Sequence, residues 1–465
     1  MILKIFHQYI PFRKFVFVFL EGFFIIIMVY LGAFLRFSWE GPPSLGPEAL
    51  FLRALPIAVI AQLCLYYFDL YDLRIFKSNF ELTIRLLQSL GVASIVLAFF
   101  YYLFPDLIIG RGVFFISLFF IAVMIVSWRL IYNRMVKSKK LDQRVLIVGC
   151  GSFAQLIVRM IKEKEDSGFK VIGYINNEQS HEDGEPLLDP PILGHRSQLV
   201  ERAEQEKVDR IIVALDERRG KFPDVELLGC KLKGIEVEDG INFFENLTGR
   251  LLVESLTPSF LIFSEGFNSS TMSRGIKRAT ELLVSFIGTV ILLPFFLIIP
   301  VLIKLEDGGR VFYKQERVGE NGKIFELIKF RSMFENAESN GPVWSQEHDT
   351  RVTRIGRFIR KCRLDEIPQM INVLKGDMSF IGPRPERPVF VEQLKQKIPY
   401  YGLRSSVKPG ITGWAQIRYP YGASDEDALE KLKYDLYYLK NLSFLFDLRV
   451  LFETIKVVLF GKGAR

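Results

Sequence analysis

The sequence predicts a membrane-embedded helical region followed by α/β structure. It reads as four transmembrane helices, a Rossmann-like doubly wound domain, and a mostly helical C-terminal domain with a re-entrant membrane helix and a small β-hairpin. Three observations predict this. Four apolar runs of about twenty residues recur in the first third of the chain, each long enough to cross a bilayer. A β-branched run enters a Gly-x-Gly-x-x-Ala turn near residue 150. A fifth apolar run, Leu282 to Ile303, carries cations on both flanks. At 465 residues the chain exceeds one typical core, and the divisions fall at 1–140, 141–265 and 274–465.

The four runs lie at roughly 15–35, 49–68, 84–104 and 112–131 in a chain that is 49% hydrophobic, with 42 phenylalanines. The first is too long and too aromatic for a cleaved signal peptide and lacks a small-residue cleavage site, so it is expected to stay as an anchor. Lys4, Arg13 and Lys14 precede it; Arg74 and Lys77 separate the second run from the third. Arg134, Lys137, Lys139, Lys140 and Arg144 follow the fourth, whereas the breaks at 37–48 and 105–111 carry only Arg111. By the positive-inside rule the N-terminus and everything after residue 133 face the cytoplasm.

The net charge of +8 is partly this topology, and the rest suits anionic head groups or phosphates, not nucleic acid. Cys64, Cys150, Cys230 and Cys362 form no CxxC pair, so neither a zinc site nor a disulfide framework is implied. His7, His181, His195 and His348 are equally dispersed and read as surface or loop residues.

Arg144 to Val148 is a strand entering the turn Gly149-Cys150-Gly151-Ser152-Phe153-Ala154, with a helix to about Lys164. Further strands are expected at Lys170 to Ile175 and near Arg210 to Ala214. Glycines at 149 and 151 let a backbone approach a pyrophosphate, and the following helix N-terminus can stabilise it, so both are candidate cofactor-binding positions. The acid that usually meets the ribose is replaced by Asn176 and Asn177. A glycine turn kept only for helix-to-strand packing in a regulatory or assembly module is the alternative.

Leu282 to Ile303 is uncharged and long enough to span. Yet Arg274, Lys277 and Arg278 precede it, and Lys304, Arg310 and Lys314 follow, pulling both ends toward one leaflet. Pro294 and Pro300 each lack an amide donor and favour a break. The segment reads as a helix that enters the inner leaflet, bends near Pro294 and returns; a kinked fifth span is the alternative.

Beyond Arg310, the stretches 311–315 and 324–330 alternate as short strands, with Gly319, Asn321 and Gly322 turning between them. Lys329 and Arg331 emerge at the end of the second. A helix from about Arg354 to Cys362 brings Arg354, Arg357, Arg360 and Arg363 forward. Asp365 lies beside a helix N-terminus, where a capping role is the simple reading. Glu366 directly beside it, with arginines on both sides, argues instead for chemistry on phosphate: cations offset the repulsion a carboxylate meets there, and a magnesium ion held by one carboxylate shares that task.

Four motifs now stand in order: KFRSM at Lys329 to Met333, RLDEIPQ at Arg363 to Gln369, KGDMSFIGPRPE at Lys375 to Glu386 and KPGITGWAQI at Lys408 to Ile417. Over about 274–465 they resemble the bacterial polyprenyl-phosphate glycosylphosphotransferase (bacterial sugar transferase) family. The whole chain is similar to its long members, which place four membrane helices and a Rossmann-like domain ahead of the catalytic unit.

The resemblance implies a multi-pass inner-membrane enzyme with a cytoplasmic catalytic domain. It implies transfer of a sugar-1-phosphate, a hexose for most long members, from a UDP-sugar to undecaprenyl phosphate with release of UMP, starting an exopolysaccharide or O-antigen (lipopolysaccharide) repeat. By the same resemblance Asp365 matches the nucleophile, Glu366 the magnesium ligand and Arg384 a nucleotide-side contact. Arg331 and Arg360 match phosphate contacts, with Lys329 beside them as a further substrate-binding residue. Some members place serine before the helix-breaking proline where this chain has Leu293.

Phe444 to Phe460 is apolar but interrupted by Asp447, Arg449, Glu453 and Lys456, fitting either an interfacial helix or a packed one. The phenylalanine-rich helices and the glycine-turn domain are compatible with a homodimer. Two rival functions remain at this point: a nucleotide-sugar-modifying activity in the middle domain, and a non-catalytic scaffold or nucleotide sensor of a polysaccharide export complex.

Overall fold

The computed structural model describes residues 2–5, 8–40, 46–71, 79–139, 141–164, 166–176, 189–216, 222–256, 258–267, 271–335, 349–419, 422 and 424–459. His7, Arg74, Lys77, Lys140, Asn177, His181 and His348 lie outside them. The chain divides into two compact units, Met1–Phe243 and Phe244–Arg465.

The first unit opens with an antiparallel pair, β1 (Ile2–Ile5) and β2 (Gln8–Pro11). Four helices follow: α1 (Phe12–Glu40), α2 (Pro47–Tyr67), α3 (Asn79–Leu103) and α4 (Arg111–Lys137), all long and apolar enough to cross a membrane. Their facing sides share one core, including Ile25, Val29, Leu65, Leu86 and Ile125, while Phe19, Phe99 and Phe115 stand exposed on the outside. That inversion suits a lipid solvent. Within the bundle Arg129 meets Glu21 at 3.1 Å and donates to the Leu70 carbonyl, and Tyr71 donates to Glu21, so a buried charge pair is hydrogen-bonded on both sides.

The α/β part of this unit comprises β3 (Gln143–Val148), α5 (Ser152–Glu163), β4 (Phe169–Asn176), β5 (Ile192–His195), α6 (Leu199–Gln205), β6 (Arg210–Val213), α7 (Asp224–Leu232) and β7 (Glu236–Asp239). The five strands are parallel in the order β5-β4-β3-β6-β7, and the direction of winding reverses beside β3. Tyr9 donates to Glu238 and Arg13 bonds Asp142 and Asp166, so β2 and the start of α1 are tied to the sheet domain. The expected strands and the α5 helix appear; β1, β2, β5 and β7 were not foreseen.

The helix α8 (Gly240–Thr248) leads into the second unit. Residues 244–256, expected with the middle domain, pack here instead. Leu251, Val253 and Leu256 join the core of Trp414, Leu432, Leu436 and Tyr437, and Trp414 donates to the Gly249 carbonyl at 2.8 Å. After α9 (Pro258–Phe263) come α10 (Thr271–Ile291) and α11 (Leu293–Asp307), bent 58° from one another, with Leu292 between them and Pro294 in the first turn of α11. Their exposed residues include Leu283, Phe286, Ile291, Leu297 and Val301.

The remaining elements are the hairpin β8 (Phe312–Val318) and β9 (Ile324–Phe330), α12 (Arg354–Lys361), α13 (Gln369–Lys375), β10 (Ser379–Ile381), α14 (Pro388–Lys397), β11 (Gly410–Thr412), α15 (Trp414–Arg418), α16 (Asp425–Lys440) and α17 (Phe444–Leu459). α17 answers the choice left open by its sequence with both readings. Phe446 and Val450 are buried in the core, while Leu445, Leu448, Leu451 and Ile455 form an exposed apolar face.

Candidate active site

Local geometry brings the four motifs together. Thr353 caps α12 through the amide of Gly356 at 2.9 Å. Arg363 then takes a left-handed backbone (φ 58°) that ends the helix, and a single 3-10 turn, Leu364–Glu366, presents both carboxylates just ahead of Pro368, the N-cap of α13. The fully buried Asn372 locks α13 to the hairpin: it accepts from the Ile328 amide at 3.1 Å and donates to the Glu326 carbonyl at 2.7 Å. Lys329 is thereby held over the dyad. Pairing of β10 with β11 sets Ser379 beside Gly410 and Ile381 beside Thr412, so the Gly382-Pro383-Arg384-Pro385 turn lies against the segment leading to Gln416.

Glu366 is surrounded by cations. Its Oε1 accepts from Lys329 Nζ and from Arg384 Nη2, each at 3.0 Å, and Arg363 lies 3.6 Å from Oε2. Burial alone would raise its pKa, but Lys329, Arg384 and Arg363 outweigh burial and hold it well below the usual carboxylate range. Asp365 is different. It is buried to 8% exposure yet makes no hydrogen bond or ion pair among the described residues. Burial pushes its pKa up; the Lys329 charge opposes, the Glu366 charge adds, and Arg360 and Arg384 oppose. Lys329 is itself pushed down by burial, against the pull of Glu366.

Both carboxylates open on a cavity of about 830 Å³. Lys329, Arg331, Arg360 and Arg384, singled out in the sequence, all line it, although Arg331 is paired with Asp307. Sequence reasoning missed a second cationic wall of Arg317, Arg387, Arg404 and Lys431, accompanied by Glu386 and Asp435. Asp435, fully buried beside Arg404 at 2.9 Å, is pushed up to about 6 by burial, the arginine opposing. It lies on α16, where helical spacing marks a core position.

At the glycine turn of the α/β domain, the Asp216 carboxylate accepts from the amides of Ser152 (3.0 Å) and Phe153 (3.1 Å). The first amides of α5, which a pyrophosphate would need, face the chain's own anion. Gly149 (φ 113°) lies against the Ala214 carbonyl and Gly151 against Asp216, so both glycines allow close packing here.

The family pattern described as bacterial sugar transferase matches residues 272–461, and one described as a CoA-binding domain matches residues 66–221. The chain is 31% identical over 361 residues, 73% of each chain, to a UDP-galactose-lipid carrier transferase of Erwinia amylovora. With this site and this relative, the chain belongs to the bacterial sugar transferase family. It is also 41% identical over 281 residues to a UDP-N-acetylgalactosamine-undecaprenyl-phosphate N-acetylgalactosaminephosphotransferase of Aeromonas hydrophila, covering 60% of this chain and 63% of that protein. A UDP-glucose:undecaprenyl-phosphate glucose-1-phosphate transferase of Escherichia coli (strain K12) is 31% identical over 316 residues, covering 67% of this chain and 66% of that protein. The chain thus spans slightly under two thirds of the length of these last two relatives.

Proposed function

We propose that this chain transfers a sugar-1-phosphate from a UDP-sugar to undecaprenyl phosphate, giving undecaprenyl-diphospho-sugar and UMP, as the first step of exopolysaccharide or O-antigen synthesis. The observation that carries the reading is the carboxylate of Asp365, without a hydrogen bond or ion pair among the described residues, facing a cation-lined cavity beside a Glu366 already held by Lys329 and Arg384.

In this mechanism an Asp365 oxygen attacks the phosphorus that carries the sugar. The bond from that phosphorus to the bridging oxygen breaks, and UMP leaves with the electron pair. An oxygen of undecaprenyl phosphate then attacks the same phosphorus, and the Asp365 carboxylate is restored. Arg384 and Lys329 meet phosphate oxygens and offset the repulsion between anions, with Arg360 on the Asp365 side. The described residues hold no cluster of three or more His, Cys, Asp or Glu that could bind a metal alone. Glu366 does fit Mg²⁺, which binds through one or two carboxylates plus substrate phosphates; its Oε2 would hold the ion while Asp365 stays free to attack. When bound, that ion would neutralise developing charge on phosphate.

The charge flanks and the 58° bend between α10 and α11 support a helix pair that dips into one leaflet and returns, with the catalytic unit on the cytoplasmic side of the inner membrane, where UDP-sugars are made. The exposed apolar faces of α10, α11 and α17 support contact with membrane lipids. The three relatives are named for galactose, N-acetylgalactosamine and glucose, which supports a hexose or its N-acetyl form as the sugar.

The test is incubation of purified protein with Mg²⁺, undecaprenyl phosphate and a panel of UDP-sugars, with UMP measured. One UDP-sugar should give stoichiometric UMP and lipid-linked product. Without the acceptor, radiolabelled sugar phosphate should be recovered on the peptide containing Asp365. Label on any other residue would discard the mechanism, and no UMP from any sugar would discard the function.

A further inference from the structure

We propose that Gln416, backed by the Arg404–Asp435 pair, is a positioning residue that fixes Arg384 in the orientation that meets the leaving nucleotide. The inference rests on the cavity being the UDP-sugar site. It assigns a task to a motif, Lys408 to Ile417, whose side chains the mechanism above does not use.

Arg384 is about one third exposed, and a long flexible side chain on a cavity wall loses much rotamer freedom when it is held in one place. Its guanidinium is fixed at two corners: Nη2 donates to Glu366 Oε1 at 3.0 Å and Nη1 to Gln416 Oε1 at 3.1 Å. Its backbone is fixed as well, because the Arg384 carbonyl accepts from Arg404 Nη2 at 2.9 Å. Arg404 in turn donates to Tyr401 at 2.6 Å and lies 2.9 Å from the buried Asp435. The Gln416 amide is therefore turned with its oxygen toward a cation, while its Nε2 is buried without an acceptor among the described residues. A buried donor left unpaired is costly, which makes the oxygen the part of this side chain that is put to use.

The wall around Gln416 is the nucleotide side of the cavity by its chemistry. Four cations, Arg317, Arg387, Arg404 and Lys431, line it with two carboxylates, Glu386 (paired with Arg317) and Asp435 (paired with Arg404), and the rings of Phe390 and Tyr419 line the same cavity. Excess positive charge with flat rings suits a nucleoside phosphate, whereas a neutral hexose calls for paired donors and acceptors.

A double-mutant cycle read on UMP binding by calorimetry tests this on the full-length protein. Gln416→Leu is expected to weaken UMP about tenfold, the scale of one hydrogen bond to a charged group. Arg384→Gln should weaken it at least as much, and the double variant no more than Arg384→Gln alone. The KM for UDP-sugar should rise in parallel, leaving the KM for undecaprenyl phosphate unchanged. Additive losses, UMP binding by Gln416→Leu at the wild-type level, or no UMP binding by the wild type would overturn the proposal. Should Gln416→Leu not fold, Gln416→Ser carries the same cycle. A wild type that binds UMP with the cycle intact, yet releases none from any UDP-sugar, would sink the transfer reading and leave the positioning role standing.

Discussion

Two parts of this chain offer a setting for an anion, and they differ in what already sits there. At the glycine turn of the α/β domain, the first amides of α5 converge on one point, and Asp216 occupies it. In the C-terminal unit, four cations, Lys329, Arg360, Arg363 and Arg384, surround two carboxylates; Glu366 takes up three of them, and Asp365 makes no hydrogen bond or ion pair among the described residues. The lesson concerns motifs. A turn that matches a nucleotide-binding fingerprint can be satisfied from within its own domain, whereas a site for chemistry leaves a reactive group unsatisfied.

The largest effect tests the unsatisfied side of that contrast. Asp365→Asn keeps shape and removes the attacking charge, so UMP release should fall by on the order of 10³-fold or more, while UMP binding survives. Release that persists within tenfold would mean that the free carboxylate is not the nucleophile. Next in size is Lys329→Met, which removes a cation from Glu366 and from the incoming phosphate. A loss of about 10²-fold in kcat is expected for one electrostatic donor in a closed site, with protein yield and folding checked by thermal unfolding.

The titration of Asp365 sharpens the comparison further. Burial raises its pKa, and only the ionised form can attack, so single-turnover UMP release should fall with decreasing pH through a midpoint above the ordinary carboxylate value. The neighbours set the direction of two shifts. Lys329 favours the ionised form, so Lys329→Met should move the midpoint to higher pH. The Glu366 charge disfavours it, so Glu366→Gln should move the midpoint lower. A midpoint that does not respond to either substitution would assign the limb to another group.

Much of this contrast was legible in the chain, for unequal reasons. The membrane helices were readable because a lipid solvent demands long uncharged runs, and β3, α5, β4 and β6 because period and glycine turn agree. The dyad was readable because Asp365 and Glu366 are adjacent in sequence. Gln416, Arg404 and Asp435 were not, because they come from α15, a 3-10 turn and α16, and meet only through the parallel pairing of β10 with β11 and the packing of Trp414. Asp435 in particular sits where helix spacing expects an apolar residue, and only its burial beside an arginine marks it. Asp216 was missed for the same reason: its partners are 63 and 64 residues away.

The smallest expected effect tests the satisfied side. If Asp216 serves as an internal anion, Asp216→Ala removes an acceptor from two helix-terminal amides and costs about 1 kcal/mol, the usual size of a lost cap. Because Asp216 is exposed and water can reach the freed amides, the lower half of the capping range applies. Urea unfolding should show that small loss, and UMP release should stay within twofold of wild type. The same variant uncovers the amides, so affinity for a diphosphate such as CoA or UDP at this turn should rise relative to wild type. A wild-type domain that already binds CoA tightly, with Asp216→Ala binding no better, would mean that the aspartate moves aside for the ligand. The contrast between a filled site and an open one would then give way to two working sites in one chain.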